Sequence, residues 1–498
     1  SLVTIPGMQA PNPCPESCNV LLIGGGGREH ALAWKLAQSP KLGTLYATDC
    51  ANGGIAKLAT PCPEKWDTSR IYFMTRWCDQ HDIDLIVVGP EVPLTEGITD
   101  ELATETRVVF GPTKEAARIE ADKSYAKELM RQASIPTADS RTFSDHDSAR
   151  NYLLRGLERD LENEFKQPLA KEIEAYFEWS AELERSDDFT FSEELLELLQ
   201  KREDPCVVKA CGLAAGKGVI LCDTVGESLK AIAQIMKEKI FGDAGNSIII
   251  EEKMSGSEVS VLALVDGGTI WVLDLCQDHK QVGEGDVGAN TGGMGAFCPA
   301  PLLDEEMLDY VEREILVPAV DAMRRDGIEY RGVLYAGIML TPAGPKVLEF
   351  NCRFGDPETQ PLMARLQGDL IDILWRTATR TLDGAEIDFS DDIACCVVMC
   401  SEGYPGNYSK GQTITGIEKV ESDDLLVFQA GTHCTGGTLT TSGGRVLGVT
   451  ALSNSLESAR VKANAACEQI RFNGAFWRSD IGCRANTTDS SATTASGA

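Results

Sequence analysis

Cys206-Val207-Val208-Lys209-Ala210-Cys211-Gly212-Leu213-Ala214-Ala215-Gly216-Lys217-Gly218-Val219-Ile220-Leu221-Cys222 sets one lysine in an apolar run, a second in a glycine-rich stretch, and then returns to apolar residues. The two apolar runs read as strands and the glycine stretch as their connection. Loops that expose backbone N–H groups beside a lysine cradle phosphates. This is not the strand–loop–helix phosphate loop. That pattern needs glycine where Cys211 stands and Ser or Thr where Gly218 stands, and it opens a helix. The expectation is a hairpin loop over nucleotide phosphates, with Lys209 in the strand and Gly212, Gly216, Lys217 and Gly218 in the loop. A lone lysine in a strand is more often a solvated side chain; the adjoining Gly-Lys-Gly favours the functional reading.

Upstream, the globular chain is expected to begin at Asn19. Val20-Leu21-Leu22-Ile23 reads as a buried parallel strand, Gly24-Gly25-Gly26-Gly27 as a turn, and Arg28–Ala37 as a helix. Strand, glycine turn and helix start form an anion site, because free N–H groups and the helix dipole face the ligand. A dinucleotide fingerprint fails in both registers, at Glu29 and at His30. A second strand, Ile83–Val88, leads to Gly89-Pro90-Glu91. This puts the Glu91 carboxylate at a strand's C-terminal end, where open α/β sheets bind ligands.

Downstream, Ser247–Glu251 reads as a strand followed by a linker to Glu258. Such a segment can hold an adenine through its backbone and ribose hydroxyls through an acid. Gln277-Asp278-His279-Lys280 and Asn290-Thr291-Gly292-Gly293-Met294-Gly295-Ala296 are too polar and glycine-rich for packing alone. In Lys346–Pro357, Glu349, Asn351 and Arg353 alternate and so share a strand face. A carboxylate and an amide oxygen suit Mg²⁺, and the arginine can clamp a carboxylate or phosphoryl group. The preceding strand offers no acid, so a metal there would be held mainly by ATP.

The chain of 498 residues has room for about three domains. Its net charge of −30 argues against nucleic-acid binding, which needs basic surface. No apolar run is long enough to span a membrane, and residues 1–18 lack the features of a secretory signal. Seventeen scattered cysteines read as mostly buried, reduced thiols of a cytoplasmic protein.

Six stretches carry a specific resemblance: GGGGREHALAWKLAQSP, VGPEVPLTEGI, KACGLAAGKGV, QDHKQVGEGDVGANTGGMGAFCPAP, YRGVLYAGIMLTPAGPKVLEFNCRFGDPETQ and WRSDIGCRA. They resemble the phosphoribosylamine–glycine ligase family of ATP-grasp enzymes over about residues 19–150 and 204–485. The resemblance implies an α/β protein in three parts. These are a doubly wound N-terminal domain (19–120), an ATP-grasp domain (121–385) with a mobile lid (137–255), and a small C-terminal α+β domain (386–485). Disordered tails are expected at 1–18 and 486–498.

It also implies roles. Lys123 and Lys209 would contact ATP phosphates under the Gly212–Gly218 loop, and Glu251 and Glu258 would meet adenine and ribose. Glu349 and Asn351 would hold Mg²⁺ or Mn²⁺. Arg353, with Asn290, Thr291, Gly292 and Gly293, would orient glycine and its acyl phosphate. Asp278 and Lys280 would lie near glycine or phosphoribosylamine, and Gly26, Gly27 and Glu91 would hold the phosphoribosyl group. A cytoplasmic monomer acting on small molecules, with no nucleic-acid or membrane partner, is implied. The alternatives are a different ATP-grasp carboxylate–amine ligase and a catalytically inactive nucleotide-binding regulator. The family pattern is broken at Cys211, where Asp or Ser is usual, at Ala289, and at Asp49-Cys50-Ala51-Asn52.

One segment falls outside the resemblance. Residues 158–203 carry 15 acidic and 6 basic side chains, a net of −9. Leu153, Leu157, Leu161 and Phe165 recur at helical spacing and predict one helix ending before Pro168. Ile173, Tyr176, Phe177 and Ser180, continued at Leu183, predict a second, and Ser192 with Glu193 and Glu194 starts a third. The expectation is an acidic helical insert (153–203) on the lid, remote from the active site; a partner-docking surface is the alternative.

Overall fold

In the computed structural model of the protein, residues 13–182, 188–214 and 217–483 are described. Residues 1–12 and 484–498, where most of the two expected tails fall, lie outside the described residues, as do Ala215, Gly216 and Leu183. The chain divides into two compact units. The first takes the segments up to Glu120, Gln132–Pro136, and from Gly256 on; the second takes Ala121–Arg131 and Thr137–Ser255.

The first unit opens with a five-stranded parallel sheet, in spatial order Thr60–Pro61, Leu42–Ala47, Cys18–Ile23, Leu85–Val88, Val108–Phe110. Its central strands are continuous apolar runs because both faces are covered. The glycine turn passes directly into the helix Gly27–Leu36. Gly24 takes φ +106°, a left-handed value that favours glycine.

An antiparallel sheet follows in the order Ile270–Val272, Ser257–Asp266, Arg331–Thr341, Gly344–Asn351. Its last pairing slips by one residue at Leu348, between Ile338 opposite Val347 and Gly337 opposite Glu349. Such a bulge bends a strand end. A third sheet runs Gln277–Asp278, Gly295–Cys298, Ile393–Ser401, Arg445–Ser453, Leu425–Gln429. The C-terminal segment's sheet is therefore not confined to 386–485. It draws in two strands from the central region, one of which carries Asp278. A single core joins Leu22, Leu32 and Leu36 to Leu262, Val333 and the helix Leu370–Ala378.

The second unit is a four-stranded antiparallel sheet, ordered Ser140–Phe143, Ile248–Glu252, Glu203–Ala210, Val219–Thr224. The Gly-Lys-Gly loop thus connects two strands, as expected. The helix Val225–Met236 covers the sheet and is capped by Thr224 and Glu227.

The insert is helical but differently divided. The expected helix through Leu153, Leu157, Leu161 and Phe165 is two, His146–Leu154 and Leu157–Asn163. Gly156 separates them at φ +81°. The break rotates the pattern: Leu154, Leu157 and Leu161 are buried, while Phe165 is 94% exposed. Pro168 falls in the first turn of Gln167–Ser180, where its missing N–H costs nothing. Ser192 caps Glu193–Lys201 as expected, accepting from the Leu195 N–H at 3.2 Å. These helices own a separate core of Leu157, Leu161, Ile173, Tyr176, Phe191, Leu195 and Leu199 against Val225.

All seventeen cysteines are free, and thirteen are buried. No described helix is long and apolar enough to cross a membrane.

Candidate active site

In the second unit, adjacent strands set Lys209 and Glu251 on one face. Lys209 Nζ lies 2.8 Å from Glu251 Oε2, and Lys127 Nζ lies 3.1 Å from Oε1. Both Lys209 and Glu251 are buried. One carboxylate between two ammonium groups leaves an excess positive charge in a dry place, which favours an anionic ligand. Burial pushes the Lys127 pKa down, against Glu251. The Glu251 side chain is therefore committed to lysines, and an adenine contact there would fall to the strand's backbone.

Lys123 donates to the Gly212 carbonyl at 3.2 Å, and its backbone N–H to the Cys211 carbonyl at 3.0 Å. Gly212 is required by packing, because a Cβ there would come within 2.8 Å of the Ala244 Cα. The Cys211 sulfur accepts from the Ser124 hydroxyl at 3.0 Å. A weak sulfur acceptor thus stands where an oxygen was expected. Lys217 is exposed at the loop's far end.

In the first unit, Arg353 is the centre of a partly buried group. Its Nη2 lies 3.0 Å from Glu120 Oε1 and its Nε 3.4 Å from Glu91 Oε2, with Asn351 Oδ1 at 3.4 Å. Glu120 also accepts from the Cys352 N–H at 2.7 Å. The two acids answer differently. Burial raises both pKa values and is the largest influence on each. At Glu91, Arg353, a backbone N–H and Arg28 together outweigh it and the pKa is lowered, whereas at buried Glu120 burial prevails and the pKa is raised.

A second group surrounds Asp278, a half-buried residue whose Oδ1 is itself buried with no hydrogen bond. Burial, then the neighbouring Glu358, push its pKa well above the usual carboxylate range. Glu358 accepts from Tyr335 at 2.5 Å and Ser260 at 3.1 Å. The loop Asn290–Gly293 passes over Asp278: a Cβ on Gly293 would stand 2.8 Å from Asp278 Oδ1. Thr291 fixes this loop by donating twice to the Lys280 carbonyl, both at 2.7 Å. Lys280 pairs with Glu258 at 3.0 Å, and Glu258 together with Glu349 raises its pKa. Arg445 binds the same loop at the Gly292 carbonyl (2.7 Å) and Asp356 Oδ2 (3.2 Å). The glycine turn is close by, since Cβ atoms on Gly26 and Gly27 would lie 3.7 and 3.8 Å from the Asp356 carboxylate. The Gly26 N–H is taken by Glu29 Oε2 at 2.7 Å.

The structure thus gathers Glu91 with Arg353 and Asn351, and Asp278 with Lys280, Glu258 and the Asn290–Gly293 loop. Sequence reasoning missed Glu120, Glu358, Arg445 and Asp356. Asp356 was visible beside Arg353 in Arg353-Phe354-Gly355-Asp356. Arg445 and Glu120 reach their partners from 89 and 233 residues away and carry no local signal.

A parallel N-terminal sheet, a lysine-bearing β-hairpin unit and a C-terminal sheet define an ATP-grasp protein. The phosphoribosylglycinamide synthetase N domain matches residues 18–120, its ATP-grasp (A) domain 177–359 and its C domain 394–484. The chain is 44% identical over 474 residues to the phosphoribosylamine–glycine ligase of Rhodopirellula baltica, covering 94% of this chain and 98% of that one. It is 41% identical over 467 residues to the trifunctional purine biosynthetic protein adenosine-3 of Gallus gallus, of which it covers 42%. A crystal structure of phosphoribosylamine–glycine ligase from Thermotoga maritima superposes with TM-score 0.69 at 26% identity, covering 93% of this chain and all of that one. The chain belongs to the phosphoribosylamine–glycine ligase family.

Proposed function

We propose that the protein joins glycine to 5-phospho-D-ribosylamine with ATP, through glycyl phosphate, giving glycinamide ribonucleotide, ADP and phosphate in purine biosynthesis. The observation that carries this reading is the 44% identity spanning 94% of the chain and nearly all of a ligase.

In the second unit, Lys123, Lys127, Lys209 and the Gly212–Gly218 loop would receive the nucleotide phosphates; the buried positive excess around Glu251 supports this. In the first unit, Glu349 and Asn351 present only oxygen donors. Among the described residues no set of three acids, histidines or cysteines could hold a metal ion. The donor set fits Mg²⁺ or Mn²⁺ bound jointly with phosphates, where the ion would offset phosphoryl charge.

The glycine carboxylate attacks the γ-phosphoryl group, and Arg353 would steady the carboxylate and the resulting acyl phosphate. The amine of phosphoribosylamine then attacks the carbonyl carbon and phosphate leaves. Asp278, beneath the Asn290–Gly293 loop with no hydrogen bond to its Oδ1, would take the proton that the amine sheds. Gly26, Gly27 and Glu91 would hold the phosphoribosyl group, and Lys280 would orient Glu258 toward a ribose. A cytoplasmic monomer belongs to this reading.

Phosphate release should require ATP, Mg²⁺, glycine and freshly made phosphoribosylamine together. Equal release with alanine or bicarbonate would point to a different ATP-grasp ligase.

A further inference from the structure

The insert does more than cover the helix Val225–Met236. Where the two meet, they leave a cavity of about 430 Å³, a size that suits small ligands. None of its lining belongs to the groups assigned above. Phe189 and Phe191 supply ring surface, and Arg150, Lys230 and Lys237 supply positive charge. The guanidinium of Arg150 lies 4.5 Å from the Phe191 ring centroid and 4.6 Å from that of Tyr176. Among the described residues it makes a long hydrogen bond, 3.5 Å, to the Phe189 carbonyl.

Arg150 has no carboxylate within ion-pairing distance among the described residues; Asp147 and Asp188 act on it only from further off. Burial pushes its pKa down, the mark of a cation that has lost part of its water. Lys237 is already paired with Asp188 at 3.1 Å. His146 has its pKa lowered by burial and is neutral at physiological pH. Among the described residues, Arg150 and Lys230 are thus the two cations of the wall with no ion-pair partner; both lie outside the insert, beside residues 158–203 with their net charge of −9. A desolvated guanidinium stacked on rings recognises planar anions.

We propose that this cavity binds a small aromatic anion, its ring against Phe189 and Phe191 and its acidic group on Arg150 and Lys230. The test is a fluorescence titration of the full chain with 8-anilinonaphthalene-1-sulfonate. It is run with Mg²⁺ and the β,γ-imido analogue of ATP saturating, so that the nucleotide site is filled. One saturable site per chain is expected, with Kd rising at least about tenfold in Lys230→Glu and in Arg150→Gln. Lys230 is exposed on its helix, so Lys230→Glu should fold, and it decides the matter even if Arg150→Gln does not. No saturable binding, or unchanged affinity in a folded Lys230→Glu variant, would overturn the proposal.

Discussion

Arg353 shows how one side chain can serve two carboxylates unequally. Glu91 stays ionised beside it and starts its helix at a parallel strand's end, whereas Glu120 is closed in and also holds the Cys352 N–H. Replacing Glu91 by Ala should raise KM for phosphoribosylamine and leave KM for ATP little changed; an equal rise for both would contradict the assignment. Glu349→Gln or Asn351→Ala should lower kcat far more than it weakens ATP binding, because charge on the phosphoryl group develops in the transition state. Near-normal kcat in both variants, measured by phosphate release, would remove them from the metal site.

At the scale of elements, the insert has its own core and joins the sheet unit chiefly through Val225 and Leu229. Replacing residues 158–202 by a short Gly/Ser linker should leave activity within about tenfold, or ~1.4 kcal/mol of barrier. A much greater loss in a variant that folds would make the insert part of the site. The hairpin of Gln281–Gly283 and Val287–Asn290 is held differently, by Arg478, which is 1% exposed. It binds Asp286 at 2.8 Å, Asp480 at 2.7 Å and the Gln281 carbonyl at 2.9 Å. Arg478→Met should cost roughly 2–4 kcal/mol by chemical denaturation, somewhat less than a fully buried pair because both aspartates keep some water.

Across the whole molecule, residues far apart in sequence are tied by a few polar links. His30, in the glycine-turn helix, accepts the Gln429 N–H at 2.7 Å on Nδ1 and meets the Phe428 ring edge-on at 5.5 Å. Burial, then Lys57, lower its pKa from 6.5 to about 3. A base with a depressed folded pKa is protonated first in the unfolded chain. Its contribution to stability is therefore complete above about pH 6.5 and is lost as pH falls toward 3. Glu120 and Asp278, raised by burial, act in the opposite sense. The melting temperature should fall as pH drops below about 6.5, and His30→Gln should flatten that fall; an identical slope in the variant would show that His30 does not titrate there.

The pairing of Glu349 with Asn351 on one strand face, the Lys209 strand with its glycine loop, and the glycine turn before Gly27 were legible locally, whereas Arg353, expected on the same face, lies beyond the strand, which ends at Asn351. Such patterns follow from strand periodicity and from backbone N–H groups that only neighbouring residues can expose. The helix through Leu153 and Phe165 was misread because apolar spacing carries no sign of the left-handed turn at Gly156. The pairings of Arg353 with Glu120, Arg445 with Asp356, and Lys127 and Lys209 with Glu251 were decided by the tertiary structure alone. A buried charge finds its partner wherever packing delivers one, and that distance in space leaves no trace in sequence spacing.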